Sequence, residues 1–120
     1  MEVLPVLSLE RRKALVVGGA GGGIGSAITH SLAQAGAHVS VITNDTSHAD
    51  SIHSEAKERG HEIHCHIKDV TDLKAFTTTL DDVIAANGSF HHLVNVVGGA
   101  EVRDWSRAKD YELEMFDRII

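Results

Sequence analysis

Glycines recur at short intervals between residues 18 and 25 of this 120-residue sequence, which reads Gly18-Gly19-Ala20-Gly21-Gly22-Gly23-Ile24-Gly25. A residue without a Cβ accepts positive φ at little cost and lets the backbone approach a ligand closely. The apolar run Ala14-Leu15-Val16-Val17 precedes this stretch, and apolar residues at helical spacing follow it. N–H groups and the positive end of a helix dipole would point out of such a turn, which suits a phosphate or pyrophosphate. We therefore interpret residues 18–25 as a dinucleotide-binding turn.

Two other interpretations of this glycine turn are a P-loop and a turn that only packs tightly. A P-loop needs Lys-Ser or Lys-Thr after its last glycine to contact phosphate and magnesium, and neither pair follows Gly25. Tight packing of a strand against the next helix stays open as an alternative, because glycines allow close packing as well as ligand approach.

Length and composition favour one globular domain over residues 1–120. Apolar residues make up 42% and charged residues 23% of the chain, as in folded proteins. The net charge of −6 argues against a nucleic-acid partner, which would need a basic face. No apolar run approaches the roughly 20 residues that span a bilayer, and the N-terminus has the reverse of a secretory pattern. We expect a cytoplasmic protein with neither a membrane nor a nucleic-acid partner.

Hydrophobic patterning predicts strands that alternate with helices. The strands are expected at about residues 13–18, 38–42, 62–68 and 92–97. The helices are expected at about 23–35, 47–60, 73–86 and from 110 onward. Short connections require parallel strands with right-handed crossovers. The predicted fold class is therefore α/β, with a doubly wound parallel sheet of about four strands.

Several local patterns make these expectations more specific. In the first helix, Ile24, Ile28 and Leu32 would share one buried face. In the third helix the residues at helical spacing are Leu73, Phe76, Leu80, Val83 and Ile84. The fourth strand is nearly all apolar, as expected when helices cover both faces of a parallel sheet.

Residues at the ends of the predicted strands and helices indicate where these elements begin. Pro5 argues against regular structure in the residues before the first strand. Ser47 and Asp50 resemble a capping pair at the start of the second helix.

The glycine spacing Gly19-x-x-x-Gly23-x-Gly25 resembles that of the short-chain dehydrogenase/reductase family. Two further stretches resemble the family in order and spacing, Asp69-Val70-Thr71-Asp72 and Asn95-Val96-Val97-Gly98. The family usually has threonine at the position of Gly18 and Asn-Asn-Ala-Gly in the last stretch, so the chain departs from it there. The resemblance covers nearly the whole chain but only the N-terminal half of the family. It implies a Rossmann-like sheet in the order 3-2-1-4, truncated and incomplete at its C-terminus.

The resemblance implies a dinucleotide cofactor, NAD or NADP. In a full-length member the reaction would be hydride transfer between the nicotinamide and a carbonyl or secondary alcohol. The residues implied at the pyrophosphate are Gly19, Gly22, Gly23, Ile24 and Gly25. The others are Asn44 at the ribose, Asp69 and Val70 at the adenine, and Asn95 and Gly98 at the wall of the cleft.

The catalytic residues of the family have no match in this sequence. The family uses an asparagine, serine, tyrosine and lysine set, with the tyrosine four residues before the lysine. The only tyrosine here is Tyr111, and Met115 stands four residues later. Two function classes stay open: the cofactor-binding portion of an NAD(P)-dependent oxidoreductase, and a catalytically inactive nucleotide-binding or interaction half-domain. A small-molecule substrate is expected only if the chain is completed, and the open edge of the fourth strand favours self-association.

The choice between NAD and NADP depends on the end of the second strand. An acid there accepts the ribose hydroxyls of NAD, and a base meets the 2′-phosphate of NADP. By register with the family this position is Thr43, followed by Asn44 and then Asp45. The sequence has no Lys or Arg between residues 14 and 56, so it favours NAD. The alternative, given equal weight, is that Asp45 belongs to the loop before the next helix and does not contact the ribose.

The histidine, cysteine and tryptophan side chains give weaker indications of function. His61, His64, Cys65 and His66 are close in sequence, but alternation along a strand points His64 and His66 away from Cys65. We therefore expect no metal site there. Trp105 is a candidate cover for a bound nicotinamide or substrate, and packing against the body of the domain is its ordinary role.

Overall fold

The computed structural model describes residues 4–98, together with 110, 112–114 and 117. Within residues 4–98 one short 3-10 turn precedes four strands and three α helices. These elements are the turn Pro5–Leu7, β1 (Lys13–Val17), α1 (Gly23–Gln34), β2 (His38–Thr43), α2 (Thr46–Glu58), β3 (Ile63–Ile67), α3 (Leu73–Asn87) and β4 (His92–Asn95). Strands and helices alternate as predicted. In this part of the chain, none of the helices is long and apolar enough to cross a membrane.

The four strands form one parallel sheet in the order β3-β2-β1-β4. Val16 in β1 is paired with Val41 of β2 on one side and with Val94 of β4 on the other. The predicted α/β class, the parallel pairing and the order 3-2-1-4 are therefore confirmed. In such a sheet the carboxyl ends of all strands lie at one edge, where ligands bind in α/β proteins.

The sheet has a separate apolar cluster on each face. On one face, Val16, Val39 and Val41 pack with Ala33 of α1 and Ile52 of α2. On the other face the cluster is formed by β1, β2 and α3, and its members include Leu15, Val17, Ile42, Phe76 and Leu80. Helices thus lie on both faces, which makes the sheet doubly wound.

Two predictions about the ends of elements are wrong. The predicted capping pair of Ser47 with Asp50 does not start α2, because the helix begins one residue earlier and Asp45 is its N-cap. The residues before β1 include regular structure, a 3-10 turn that has Pro5 at its first position. Proline fits there because its φ is already close to the helical value and the first N–H of a turn needs no partner.

The predicted burial of three apolar segments also needs correction. The side chain of Ile24 at the start of α1 is exposed, so it does not join Ile28 and Leu32 against the core. In α3, Leu73 is 74% exposed, and in β4, Leu93 is 69% exposed. In the described residues, α3 covers only part of its face of the sheet, so β4 is not enclosed as its apolar sequence predicts.

This partial cover leaves an apolar groove of about 670 Å³ between α3 and β4. Its walls include Leu73, Phe76, Leu80 and Ile84 of the helix, and Leu93 of the strand. The groove therefore departs from the closed core that the sequence predicts.

Several predictions fall outside the described residues. They concern Trp105, Tyr111, Met115 and most of the fourth helix predicted from Asp110 onward.

Candidate functional site

The turn from β1 into α1 depends on glycine at two positions for close packing. A Cβ added to Gly19 would lie 2.5 Å from Oγ1 of Thr29, and one added to Gly25 would lie 2.3 Å from the carbonyl oxygen of Gly18. Real Cβ atoms do not approach other atoms this closely. The tight-packing interpretation therefore holds for Gly19 and Gly25.

The middle of the same turn is open. Gly22 and Gly23 have φ values of +78° and +56°, and a Cβ added to either would meet no described atom within 4 Å. Both residues are exposed, and the side chain of Ile24 beside them is 74% exposed. Glycine here serves a positive φ and an unobstructed backbone, and tight packing does not explain it.

The N-terminus of α1 differs from those of α2 and α3. A carboxylate caps each of the later helices: Asp45 accepts from the N–H groups of Ser47 and His48, and Asp72 accepts from that of Ala75. Within the described chain, no side chain caps the first turn of α1, and that turn contains no acid. The first N–H groups of a helix lack partners inside it. The end of α1 can therefore receive an anion on backbone donors and the helix dipole.

The turn has one internal hydrogen bond from a side chain. The N–H of Gly22 donates to Oγ of Ser26 at 2.9 Å. This contact engages one donor of the glycine turn and links it to the end of the first turn of α1.

A cleft of about 230 Å³ lies beside this turn, and we call it the strand-end cleft. It is lined by Gly18, Gly21, Ile42, Thr43, Asn44, His48, Lys68, Val70 and Val97. These residues come from the carboxyl ends of all four strands and from the start of α2. The cleft thus combines apolar side chains with a few polar groups, as small-molecule sites do.

The structure brings some of the predicted residues into this cleft. Asn44 and Val70 line it directly. Gly22 and Gly23 lie in the adjoining turn, on the exposed surface. Asn95 instead lines the apolar groove, and its Oδ1 accepts a hydrogen bond of 3.1 Å from the N–H of Val97.

Two more of the predicted residues, Gly98 and Asp69, are not among the residues that line the strand-end cleft. Gly98 is exposed with a φ of +130°, and no described atom lies within 4 Å of the position of an added Cβ.

Asp69 is exposed in the loop after β3. Its Oδ1 accepts hydrogen bonds from the hydroxyl of Thr71 at 2.6 Å and from the N–H of Thr71 at 2.9 Å. The hydroxyl, followed by the N–H, lowers the pKa of the Asp69 carboxyl below its ordinary value of 3.8. The carboxylate therefore fixes the shape of the loop that carries Val70.

Asp45 likewise fixes the backbone before α2 through hydrogen bonds. Its Oδ1 accepts from the hydroxyl of Ser47 at 2.5 Å and from the N–H groups of Ser47 and His48 at 2.7 and 3.1 Å. The Ser47 hydroxyl, followed by the His48 N–H, lowers the pKa of the Asp45 carboxyl below 3.8. Of the two roles left open for Asp45, the structure shows the helix-capping one.

This geometry agrees with comparisons to known proteins. The model of the short chain dehydrogenase family matches residues 13–120. The chain belongs to this family. Members use NAD or NADP as cofactor.

Relatives of this short-chain dehydrogenase chain are longer than the chain itself. Elsinochrome reductase 1 of Elsinoe fawcettii is 34% identical over 99% of this chain and 45% of that protein. A short-chain type dehydrogenase/reductase from Mycobacterium marinum superposes with a TM-score of 0.80 and 28% identity, over 99% of this chain and 47% of that one. A citronellol catabolism dehydrogenase from Pseudomonas aeruginosa gives a TM-score of 0.78 at 27% identity, over 98% of this chain and 46% of that one. The chain spans less than half the length of these relatives.

Sequence reasoning missed two residues that line the strand-end cleft, Lys68 and His48. Lys68 follows β3 and lines the strand-end cleft, outside the segment 14–56 that has no Lys or Arg. His48 lines the same cleft, and Cε1 and Nδ1 of its ring lie 3.7 Å from where a Cβ of Gly21 would be. The parallel pairing of β2 with β3 was the signal that could have indicated Lys68.

The histidine and cysteine cluster on β3 lies away from this site. Cys65 packs against the cluster formed with α1 and α2, and it is paired in register with Val41. His66 is paired with Ile42, which belongs to the cluster on the other face. Burial, followed by the charge of Asp50, raises the pKa of the Cys65 thiol to about 11. A thiol held protonated in this way is a poor nucleophile.

Proposed function

We propose that this chain binds NAD or NADP and is the cofactor-binding portion of a short-chain NAD(P)-dependent oxidoreductase. The observation that carries this proposal is the open backbone at Gly22 and Gly23, beside a helix that lacks a side-chain cap among the described residues. A packing role explains Gly19 and Gly25 but not Gly22 and Gly23, where glycine permits a positive φ and leaves the backbone unobstructed. An anionic ligand fits this place, because the exposed and unobstructed backbone of Gly22 and Gly23 lies beside the N-terminus of α1.

The proposed contacts extend from the turn along the ends of the strands. Gly19, Gly22, Gly23, Ile24 and Gly25 would form the pyrophosphate end. Asn44 would meet the ribose, because it follows β2 and lines the strand-end cleft. Val70 would contact one side of the adenine ring, and Asp69 would lie near its amino group.

Asn95 and Gly98 would form the wall on the side of β4. Asn95 ends and Gly98 follows β4, the strand that neighbours β1 where the strand order changes direction along the chain. Ligands of open α/β sheets bind at this switch point.

The proposed reaction of the whole protein is hydride transfer between the nicotinamide and a carbonyl or secondary alcohol. The cofactor supplies the hydride or accepts it. The residues of this chain would bind and orient the dinucleotide, and the tyrosine and lysine that the family uses for proton transfer have no match in this sequence. We therefore expect cofactor binding without turnover from these 120 residues by themselves.

The preference between NAD and NADP depends on charge near the ribose. The sequence favours NAD because residues 14–56 lack Lys and Arg and because Asp45 follows β2. Both reasons are weaker in the folded protein, since Oδ1 of Asp45 already accepts three hydrogen bonds and Lys68 enters the cleft from β3. We propose that the site accepts either dinucleotide.

We also propose that the chain associates with a second copy through the edge of β4. In residues 4–98, β4 has β1 as its one neighbouring strand, and the side chain of Leu93 is 69% exposed. An unpaired apolar edge favours pairing with another strand. This observation supports the alternative in which the chain serves as a nucleotide-binding interaction module.

Calorimetric titration with NADH and NADPH tests the proposed function, with Gly23→Ala as the test variant and Gly60→Ala as its control. Both glycines have positive φ, +56° and +75°, and neither has a described atom within 4 Å of an added Cβ. The two substitutions therefore strain the backbone alike, but only the first places a methyl group in the turn. We expect Gly23→Ala to weaken binding at least about tenfold and Gly60→Ala to leave it unchanged.

Circular dichroism checks that each variant is folded. A folded wild-type chain that binds neither dinucleotide, or a Gly23→Ala variant that binds as tightly as Gly60→Ala, would overturn the proposed function.

A further inference from the structure

We propose that Lys68 binds the 2′-phosphate of NADP and makes this chain prefer NADP over NAD. The inference rests on the proposed function, because it requires the dinucleotide to lie across the glycine turn and the strand-end cleft. It adds a specificity-determining residue directly after β3, outside the segment after β2 where the sequence places the choice of cofactor.

The position of Lys68 follows from the pairing of β2 with β3. Its N–H donates a hydrogen bond of 2.8 Å to the carbonyl oxygen of Thr43, the last residue of β2. Lys68 therefore stands beside Thr43 and Asn44, where the proposed binding mode would place the ribose. The cation reaches this point from the neighbouring strand.

The charge of Lys68 is uncompensated within the cleft. The described residues that line the strand-end cleft include no carboxylate, and Lys68 is their only ammonium group. The acids that follow β2 and β3, Asp45 and Asp69, hold their Oδ1 atoms in hydrogen bonds to Ser47 and Thr71. Asp72 and Asp82 share a separate depression with Lys68, outside the strand-end cleft. No ion pair of Lys68 is found in the part of the chain that the structure describes. A cation without a partner in a concave site favours an anionic ligand.

Two further groups suit a phosphate monoester at this place. Asn44 lines the cleft and carries an amide donor, and His48 lines it from the first turn of α2. Charge-assisted hydrogen bonds from an ammonium group to phosphate are stronger than those between neutral groups. NAD has only a hydroxyl at this position, so it would gain much less from Lys68.

The test measures the affinity of the full chain for NADPH and NADH by calorimetry in wild type, Lys68→Gln and Lys57→Gln. Lys57 lies in the last turn of α2 and lines a depression away from the strand-end cleft, so its substitution removes the same charge elsewhere. We expect Lys68→Gln to weaken NADPH binding about tenfold or more and NADH binding less than twofold. Lys57→Gln should change neither affinity.

A second pair of probes isolates the phosphate. Wild type should bind adenosine 2′,5′-bisphosphate more tightly than adenosine 5′-monophosphate, and Lys68→Gln should remove most of that difference. Circular dichroism of each variant verifies the fold.

The outcomes separate the two proposals. If a folded wild-type chain binds neither dinucleotide, the proposed function fails and the role of Lys68 fails with it. If wild type binds both and Lys68→Gln leaves the ratio of the two affinities unchanged, only the role of Lys68 is overturned. Equal weakening of both dinucleotides would likewise overturn it, because the contact would then lie on a part that they share.

Discussion

The hydroxyl of Thr29 donates a hydrogen bond of 2.8 Å to the carbonyl oxygen of Gly19. Thr29 lies in the middle of α1, and its side chain is completely buried. The bond therefore joins the body of the helix to the glycine turn that leads into it. Since a Cβ on Gly19 would lie 2.5 Å from the same hydroxyl oxygen, the contact also explains why that position excludes other residues.

Replacing Thr29 with valine tests this contact. Valine keeps the shape of the side chain but removes the donor, so the buried carbonyl of Gly19 loses its partner. We expect the free energy of unfolding, measured by urea denaturation, to fall by about 1–3 kcal/mol. Dinucleotide affinity should fall as well, because the turn is less firmly held.

Thr29→Ser is the matched control, because it keeps the hydroxyl and removes only a methyl group. An unfolding free energy for Thr29→Val equal to that of wild type would contradict the role of this hydrogen bond.

The hydrogen bonds of the Asp45 carboxylate predict that the protein loses stability at acid pH. Hydrogen bonds in the folded protein lower its pKa below the ordinary value of 3.8, so folding favours the charged form. The contribution of Asp45 is fully present above about pH 3.8 and is lost as the pH falls below it. Asp45→Asn can still cap α2 through its amide oxygen but loses this titration. We expect the stability difference between wild type and Asp45→Asn, measured by urea denaturation, to shrink from pH 5 to pH 2.5.

Asp81→Asn, on the exposed surface of α3, removes the same charge and serves as the control. A stability difference for Asp45→Asn that stays constant over this pH range would exclude the titration of Asp45 as its cause.

The exposed edge of β4 predicts association that depends on concentration. We expect sedimentation velocity of the wild-type chain to show a larger species as its concentration rises. Leu93→Lys should weaken this association at least about tenfold, since an edge lysine opposes strand pairing. Val6→Lys is the control, because Val6 is 86% exposed in the 3-10 turn before β1. If both variants associate as the wild type does, the contact between copies lies elsewhere.

The positions of the strands along the chain were predictable because each strand carries its own signal, whereas their order in the sheet was predicted from the family resemblance. β1 and β2 are short apolar runs, and glycine or helix-capping residues follow them. Their buried side chains and short connections leave few ways to build a sheet. β4 was predicted two residues too long, since Val96 and Val97 continue the apolar pattern although the strand ends at Asn95.

The composition of the site was less predictable. Asp45 and Ser47 can both cap a helix, and the choice depends on the backbone: Asp45 is extended, with φ of −128° and ψ of 121°. The position of Lys68 depends on the register between β2 and β3, which pairs Thr43 with Ile67. A register between two strands cannot be read from the residues of either strand by itself. The glycine turn was found from sequence because all its parts are local.

The contact between Lys13 and His91 has a consequence for the order of folding. The N–H of Lys13 donates to Nδ1 of His91 at 2.9 Å across 78 positions of the chain, and the N–H of His91 donates back to the carbonyl oxygen of Lys13. Closing so long a loop costs more chain entropy than pairing β1 with β2 or β2 with β3, which single helices connect. We therefore expect β4 to join a preformed three-stranded unit late in folding and to detach first, which amide exchange at residues 92–95 would report. The wall of the proposed cofactor site on the β4 side would then be the last part of that site to form.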